Sequence, residues 1–187
     1  EHHDVLYPKY FLQGDIRLAY TGYIDESSVG RPQPAFSLRT IDIGYRARKL
    51  PAYFGRIGAQ KEQVGRCVEA AALGTPLRTD IKIGVEHSLH GHHWLDFLGN
   101  SRFTLGSNSG SSLLDPVGDI RRKVYDFTWR HPTASFEDIE AACFPGEDGR
   151  YAFTAISPRI LEAAVMGSCQ LLVPGHYSGI FQPWEHY

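Results

Sequence analysis

The chain has 187 residues, 42% hydrophobic and 21% charged, which excludes wholesale disorder and fits one globular domain with at most an appendage. Lys and Arg number 19 against 21 Asp and Glu, a formal charge of −2, so the balance carries no global footprint for nucleic acid or an anionic membrane. No apolar run approaches the ~20 residues that span a bilayer. The three cysteines, Cys67, Cys143 and Cys169, lack CxxC or zinc-type spacing, so reduced thiols in a cytoplasmic compartment are expected. The first residues show no signal-type pattern and the last no closing helix, and a piece of a larger protein is expected.

Residues 1–14 carry aromatic side chains without a period and are expected to be loop. Residues 15–24 (DIRLAYTGYI) alternate apolar and polar and predict a first strand, followed by a Ser/Gly/Pro-rich loop over 25–39. Residues 38–46 (LRTIDIGYR) predict a second strand. Over 60–73, Val64, Cys67, Val68, Ala71 and Ala72 recur at helical spacing, and Gly74 and Pro76 stop the helix. A short strand is expected over 79–85, a helix around 94–98, and a strand over 102–105 that runs into the loop GSNSGSS at 106–112. Helices follow over 116–130 and 135–143, the second with Ser135 and Asp138 as a weak capping box. Residues 157–167 (SPRILEAAVMG) have Ser as cap, Pro in the first turn and Gly at the end, and 168–173 (SCQLLV) predict a buried-type strand. Strands alternating with helices imply an α/β fold: a Rossmann-like, open, mostly parallel sheet with helices on both faces.

In such sheets ligands bind beyond the carboxyl ends of the strands. The turn into the 157–167 helix offers free amides and positive dipole to a phosphate, with Arg159 beside it. Glu162, one turn on, either accepts from sugar hydroxyls or is a solvated helix residue. Arg46, Arg48, Lys49, Arg56 and Lys61 are either a solvated loop or a diphosphate clamp. The Gly/Ser loop containing Ser109 is either a phosphate cradle or a flexible turn, lacking the Walker lysine and the dinucleotide fingerprint. His87, His90, His92 and His93 match no metal motif; a proton donor or phosphate contact in the cleft is the favoured reading.

The segment 157–167 with its following strand resembles the donor-site helix and strand of GT-B fold glycosyltransferases, whose pattern is roughly P-x-R-x-x-E-A-x-A-x-G. The blocks IDIGYRAR at 41–48, residues 55–61, WLDFL at 94–98, LGSNSGSS at 105–112 and HYSGIFQPWEHY at 176–187 resemble bacterial members of surface-carbohydrate type. The resemblance implies that residues 38–187 are the C-terminal, donor-binding Rossmann-like half of a GT-B fold, truncated at its C-terminus, with 1–37 a linker and first-strand region. It implies a hexosyltransferase-type enzyme, incomplete as this chain alone, that uses a nucleotide-sugar donor and an acceptor that is a glycan, lipid or protein. No cofactor or metal is expected. Carried over, Glu162 would bind ribose or sugar hydroxyls. Ser157 and Arg159 would lie near the diphosphate, with Arg46, Lys61 and Ser109 as further donor-site candidates. Tyr177, Ser178 and Gly179 would line the same cleft. Many such enzymes have a carboxylate eight residues before this Glu, and here Thr154 stands there. A non-catalytic nucleotide- or partner-binding module is the alternative, and a histidine-based phosphoesterase ranks third.

Overall fold

The computed structural model describes every residue except Glu1, Asp15 and Leu18. The chain opens with two single helical turns, α1 (His3–Leu6) and α2 (Pro8–Phe11), where loop was expected. The described residues of the span 15–24 form no strand; Asp15 and Leu18 lie outside them. The alternation there has no face to bury, for Tyr20 and Tyr23 are 58% and 82% exposed. Instead this segment crosses the start of a later helix: Thr21 Oγ1 donates to the Ile156 carbonyl at 2.9 Å, and Gly22 lies against Pro158 and Leu161.

The ordered layers begin with β1 (Ile41–Ala47), followed by α3 (Gly55–Ala72), β2 (Thr79–Ile83), α4 (His92–Asn100) and β3 (Ser101–Gly106). Then come β4 (Ser109–Ser111), α5 (Asp119–Arg130), α6 (Phe136–Cys143), β5 (Phe153–Ala155), α7 (Pro158–Val165) and β6 (Cys169–Leu172). Four strands form one all-parallel sheet in the order β2-β1-β3-β6. The expected α/β architecture, an open Rossmann-like sheet flanked by helices, is therefore present. Step β1 to β2 moves to one side and step β2 to β3 crosses back to the other, so the winding reverses between β1 and β3. Strands β4 and β5 form a separate antiparallel ribbon, so the Gly/Ser segment is held by a ladder and is not a free turn. Strand β6 is an edge strand, with Cys169 exposed and Leu171 45% exposed, which corrects the buried reading: only β3 covers it. Among the described residues no helix is long and apolar enough to cross a membrane.

Period-two geometry sorts β1 into two chemistries. Ile43, Tyr45 and Ala47 point into a core with Ile81 and Leu105, covered by Val64 and Val68 of α3. Burying each such large side chain contributes about 1.5–3 kcal/mol. On the opposite face lie Asp42, Gly44 and Arg46, under α4 and α7, which pack through Phe97, Leu98, Ala163 and Met166. Gly44 is required there by close approach. A Cβ on it would stand 2.8 Å from Phe97 Cζ and 2.3 Å from Ser101 Oγ, so the Phe97 ring rests on bare backbone. Helices α5 and α6 close a satellite core of Leu113, Val124, Ile139, Cys143 and Phe144. The Ser135–Asp138 capping box of α6 forms as expected, the Asp138 amide donating to Ser135 Oγ at 3.1 Å and the Ser135 amide to Asp138 Oδ2 at 3.0 Å.

At the amino end of the sheet, cations are neutralised. Asp42 takes Arg102 Nη1 at 2.7 Å and Arg78 Nε at 3.1 Å. Arg39 spends its guanidinium on the carbonyls of Ser101, Met166 and Gly167, closing the end of α7.

Two predictions follow from this packing. Gly44→Ala overpacks the β1–α4 contact and should lower unfolding free energy by about 1–3 kcal/mol, read from urea denaturation. The hydrogen bonds from Arg78, followed by the charges of Arg78 and Arg102, hold the Asp42 carboxyl at about 2, against an ordinary 3.8. A depressed folded-state pKa gives stability that is present above the unfolded value and is lost as pH falls through the folded one. The melting-temperature gap between wild type and Asp42→Asn should thus be full at pH 5 and close between about pH 4 and pH 2.

Candidate functional site

A cleft of about 260 Å³ opens at the carboxyl ends of β1 and β3, where the winding reverses. Loops leaving the two strands in opposite directions part there, which is why parallel α/β sheets bind ligands at this position. The floor is formed by Gly44 to Ala47 of β1 with Arg48 just beyond it, and by Thr104 to Gly106 of β3 with Ser107 just beyond it. Lys61 of α3 and Ser109 of β4 form one wall; Trp94 and Phe97 of α4 with Ser157 and Arg159 of α7 form the other.

The second wall is a column of alternating charge and ring. The Arg46 guanidinium lies 4.3 Å from the Phe97 centroid, Phe97 stacks on Trp94 at 5.6 Å and 24°, and Arg159 caps Trp94 at 5.3 Å. Each cation–ring contact contributes roughly 0.5–2 kcal/mol, more where water is excluded. Arg159 Nη1 also donates to the Arg46 carbonyl, which ties α7 to the end of β1. The Trp94 indole donates to Glu162 Oε2 at 2.7 Å, so the carboxylate is oriented from behind the cleft wall, and one of its oxygens is engaged.

Charge around the cleft divides into compensated and uncompensated groups. Arg46 is buried and committed: Nη2 meets Asp80 Oδ2 at 2.7 Å, and Nη1 donates to the carbonyls of Asp80 and Tyr45. Lys49 pairs with Glu62, and Arg56 with Glu140 and Asp148. The five basic residues are therefore no single clamp, because three of them face carboxylates. Among the described residues no carboxylate lies within ion-pair distance of Lys61, Arg159 or Arg48. Lys61 Nζ donates to Ser109 Oγ at 3.2 Å. Burial, and then the charge of Arg159, lower the Lys61 pKa. Burial of its head likewise lowers that of Arg159, although the residue as a whole is exposed. Burial pushes the Tyr45 phenol up to about 12, keeping it neutral while it donates to the Lys61 carbonyl at 2.9 Å. Lys61, half-buried, and Arg159, with the Glu162 carboxylate one turn on acting on it through space, therefore face one cleft with no direct ion pair.

The first βα turn is not that seat. Gly55 turns at φ 68°, and the opening amides of α3 are already taken: Arg56 N by Asp148 Oδ2 at 2.9 Å, Ile57 N by Ser112 Oγ at 3.3 Å. Ser157, at the N-cap of α7, makes no side-chain capping bond and faces the cleft.

The cleft thus gathers Arg46, Lys61, Ser109, Ser157 and Arg159, and Glu162 stands behind Trp94. Tyr177, Ser178 and Gly179 do not line it. Tyr177 is fully buried, donating through its phenol to the Val173 carbonyl and through its amide to Asn108 Oδ1. Ser178 Oγ accepts from Ile156 N at 3.3 Å, with Tyr177 and Ser178 both at positive φ. These residues brace the loops under the cleft. Thr154 sits in β5 opposite Gly110, away from the lining. None of His87, His90, His92 and His93 reaches the cleft; all four are exposed because α4 begins only at His92 and turns them outward. No group of His, Cys, Asp and Glu among the described residues is arranged to hold a metal. Trp94 and Phe97 are cleft residues the sequence did not single out, whereas Ser107 belongs to the 106–112 loop expected at the cleft. The aromatic pair is three apart on a helix and reads as core; Ser107 follows directly on a strand end, a usable signal.

Comparison with protein-family models, with curated proteins and with solved structures finds no match to this chain.

Because burial and the like charge of Arg159 both act against the Lys61 ammonium, Lys61→Met should raise unfolding free energy by roughly 0.5–1 kcal/mol. Thermal unfolding in the absence of anions reads this directly.

Proposed function

We propose that this chain is the donor-binding half of a GT-B type glycosyltransferase, with the cleft between β1 and β3 holding the diphosphate of a nucleotide-sugar. The observation that carries the reading is the pair of cations, Lys61 and Arg159, that face the cleft without a direct ion pair at the point where the winding reverses. In transfer, the bond from the sugar's anomeric carbon to the diphosphate oxygen breaks and its electron pair leaves on the diphosphate. The acceptor hydroxyl oxygen forms the new bond and gives its proton to a base. Fixed cations stabilise the charge that accumulates on the leaving group. Lys61 and Arg159 would supply that stabilisation, and Glu162, oriented by Trp94, would accept from ribose or sugar hydroxyls. The cleft lining contains neither a carboxylate nor a histidine, so the base in this scheme comes from outside the lining. That same composition favours the second reading, a nucleotide-binding module without catalysis.

The test is thermal shift and calorimetry with UDP, GDP and ADP, since a ligand that selects the folded state raises its melting temperature. One nucleoside diphosphate should stabilise wild type, with the effect reduced at least tenfold in affinity in Arg159→Met and weakened in Glu162→Ala. Affinity should fall as pH rises through the lowered lysine pKa, below the ordinary 10.5. Absence of binding by all three would sink the reading. Binding without transfer or hydrolysis of the matching nucleotide-sugar by the full-length protein would favour the module.

A further inference from the structure

Among the described residues three buried side-chain polar atoms have no hydrogen-bond partner: Ser107 Oγ, Asp148 Oδ1 and Tyr187 Oη. Only the first belongs to a residue of the cleft lining. Ser107 is 5% exposed, so its hydroxyl has little access to bulk water, and such an unmade hydrogen bond carries a penalty that folding alone does not explain.

The backbone leaves Ser107 little freedom to turn away. On its amino side Gly106 is in register with Leu172 of β6, and its carbonyl accepts from Val173 N at 2.9 Å. On its carboxyl side Asn108 Oδ1 accepts from Tyr177 N at 3.2 Å. The Asn108 amide also fills the space a side chain at Gly175 would occupy, since a Cβ there would be 1.8 Å from Asn108 Nδ2. One residue further, Ser109 pairs with Ala155 and takes the Lys61 ammonium. The Ser107 backbone is thus held at the floor of a cleft whose walls carry two cations, and rotation about the Cα–Cβ bond is the freedom its hydroxyl retains to reach a ligand.

We infer that Ser107 is a ligand-binding residue whose hydroxyl donates to a non-bridging phosphoryl oxygen of an anion held between Lys61 and Arg159. This rests on the anion reading of the cleft. A hydroxyl adds to the cations what they lack, a directional donor that distinguishes a correctly seated phosphoryl group from a diffuse counter-ion. The Tyr177–Ser178 turn at positive φ and the Asn108 side chain serve this by holding the backbone that carries the donor.

The probe is inorganic pyrophosphate, titrated calorimetrically into wild type, Ser107→Ala and Lys61→Met, with the melting temperature of each protein measured free of anions. Ser107→Ala should weaken pyrophosphate roughly tenfold, the effect of losing a hydrogen bond to a charged group. The same change should raise the ligand-free melting temperature by about 2–4 °C, because it removes an unsatisfied buried group. A hydroxyl with a purely structural role would move that temperature down, and this result would overturn the inference. Pyrophosphate binding that is lost in Lys61→Met but unchanged in Ser107→Ala would overturn it while leaving the anion cleft standing. If wild type binds no pyrophosphate, the cleft reading falls and the role of Ser107 with it.

Discussion

The missing side chain at Gly44 is the constraint on which the cleft depends. With no Cβ on the second face of β1, the Phe97 ring settles directly on the strand. That placement sets the depth of α4, brings Trp94 into stacking distance and gives Arg46 a ring to lie on. Arg159 then completes the column and ties α7 to β1 through the Arg46 carbonyl. Packing and electrostatics are one arrangement here: the contact that buries an aromatic ring also fixes the cations.

Identical residue types are put to opposite uses along this sheet. At its amino end Arg78 and Arg102 are consumed by Asp42, and Arg39 by four carbonyls. Beside the cleft Arg46 is consumed by Asp80. These groups weld strands and helix ends together and have nothing left for a ligand. Lys61 and Arg159 are partly desolvated yet make no direct ion pair, and Ser107 holds a hydroxyl without a partner. Natural proteins concentrate such unmade interactions where they bind.

Much of the layer structure was legible because it is written in local periodicity. Val64 and Val68 mark the core-facing stripe of α3, Ser135 and Asp138 the start of α6, and Pro158 and Gly167 the limits of α7. Where the pattern was short or ambiguous the reading failed. Tyr20 and Tyr23 alternate like a strand but meet no core, and three-residue β4 and β5 are too brief to show any period. Helix α3 begins at Gly55, ahead of the expected start, because its cap arrives from Asp148 and Ser112, distant in sequence.

By itself the sequence determined the class of fold, since alternating strands and amphipathic helices admit few arrangements other than a parallel α/β sheet. It also singled out Arg46, Lys61, Ser109, Ser157 and Arg159, which the folded chain gathers around one cleft. Only the tertiary structure decided which of them remain uncompensated. A guanidinium is neutralised by whichever carboxylate the packing brings within reach, as Asp80 reaches Arg46 across 34 residues. The orphaned hydroxyl of Ser107 is likewise a tertiary fact, because burial and the absence of a partner are properties of neighbours that lie far along the chain.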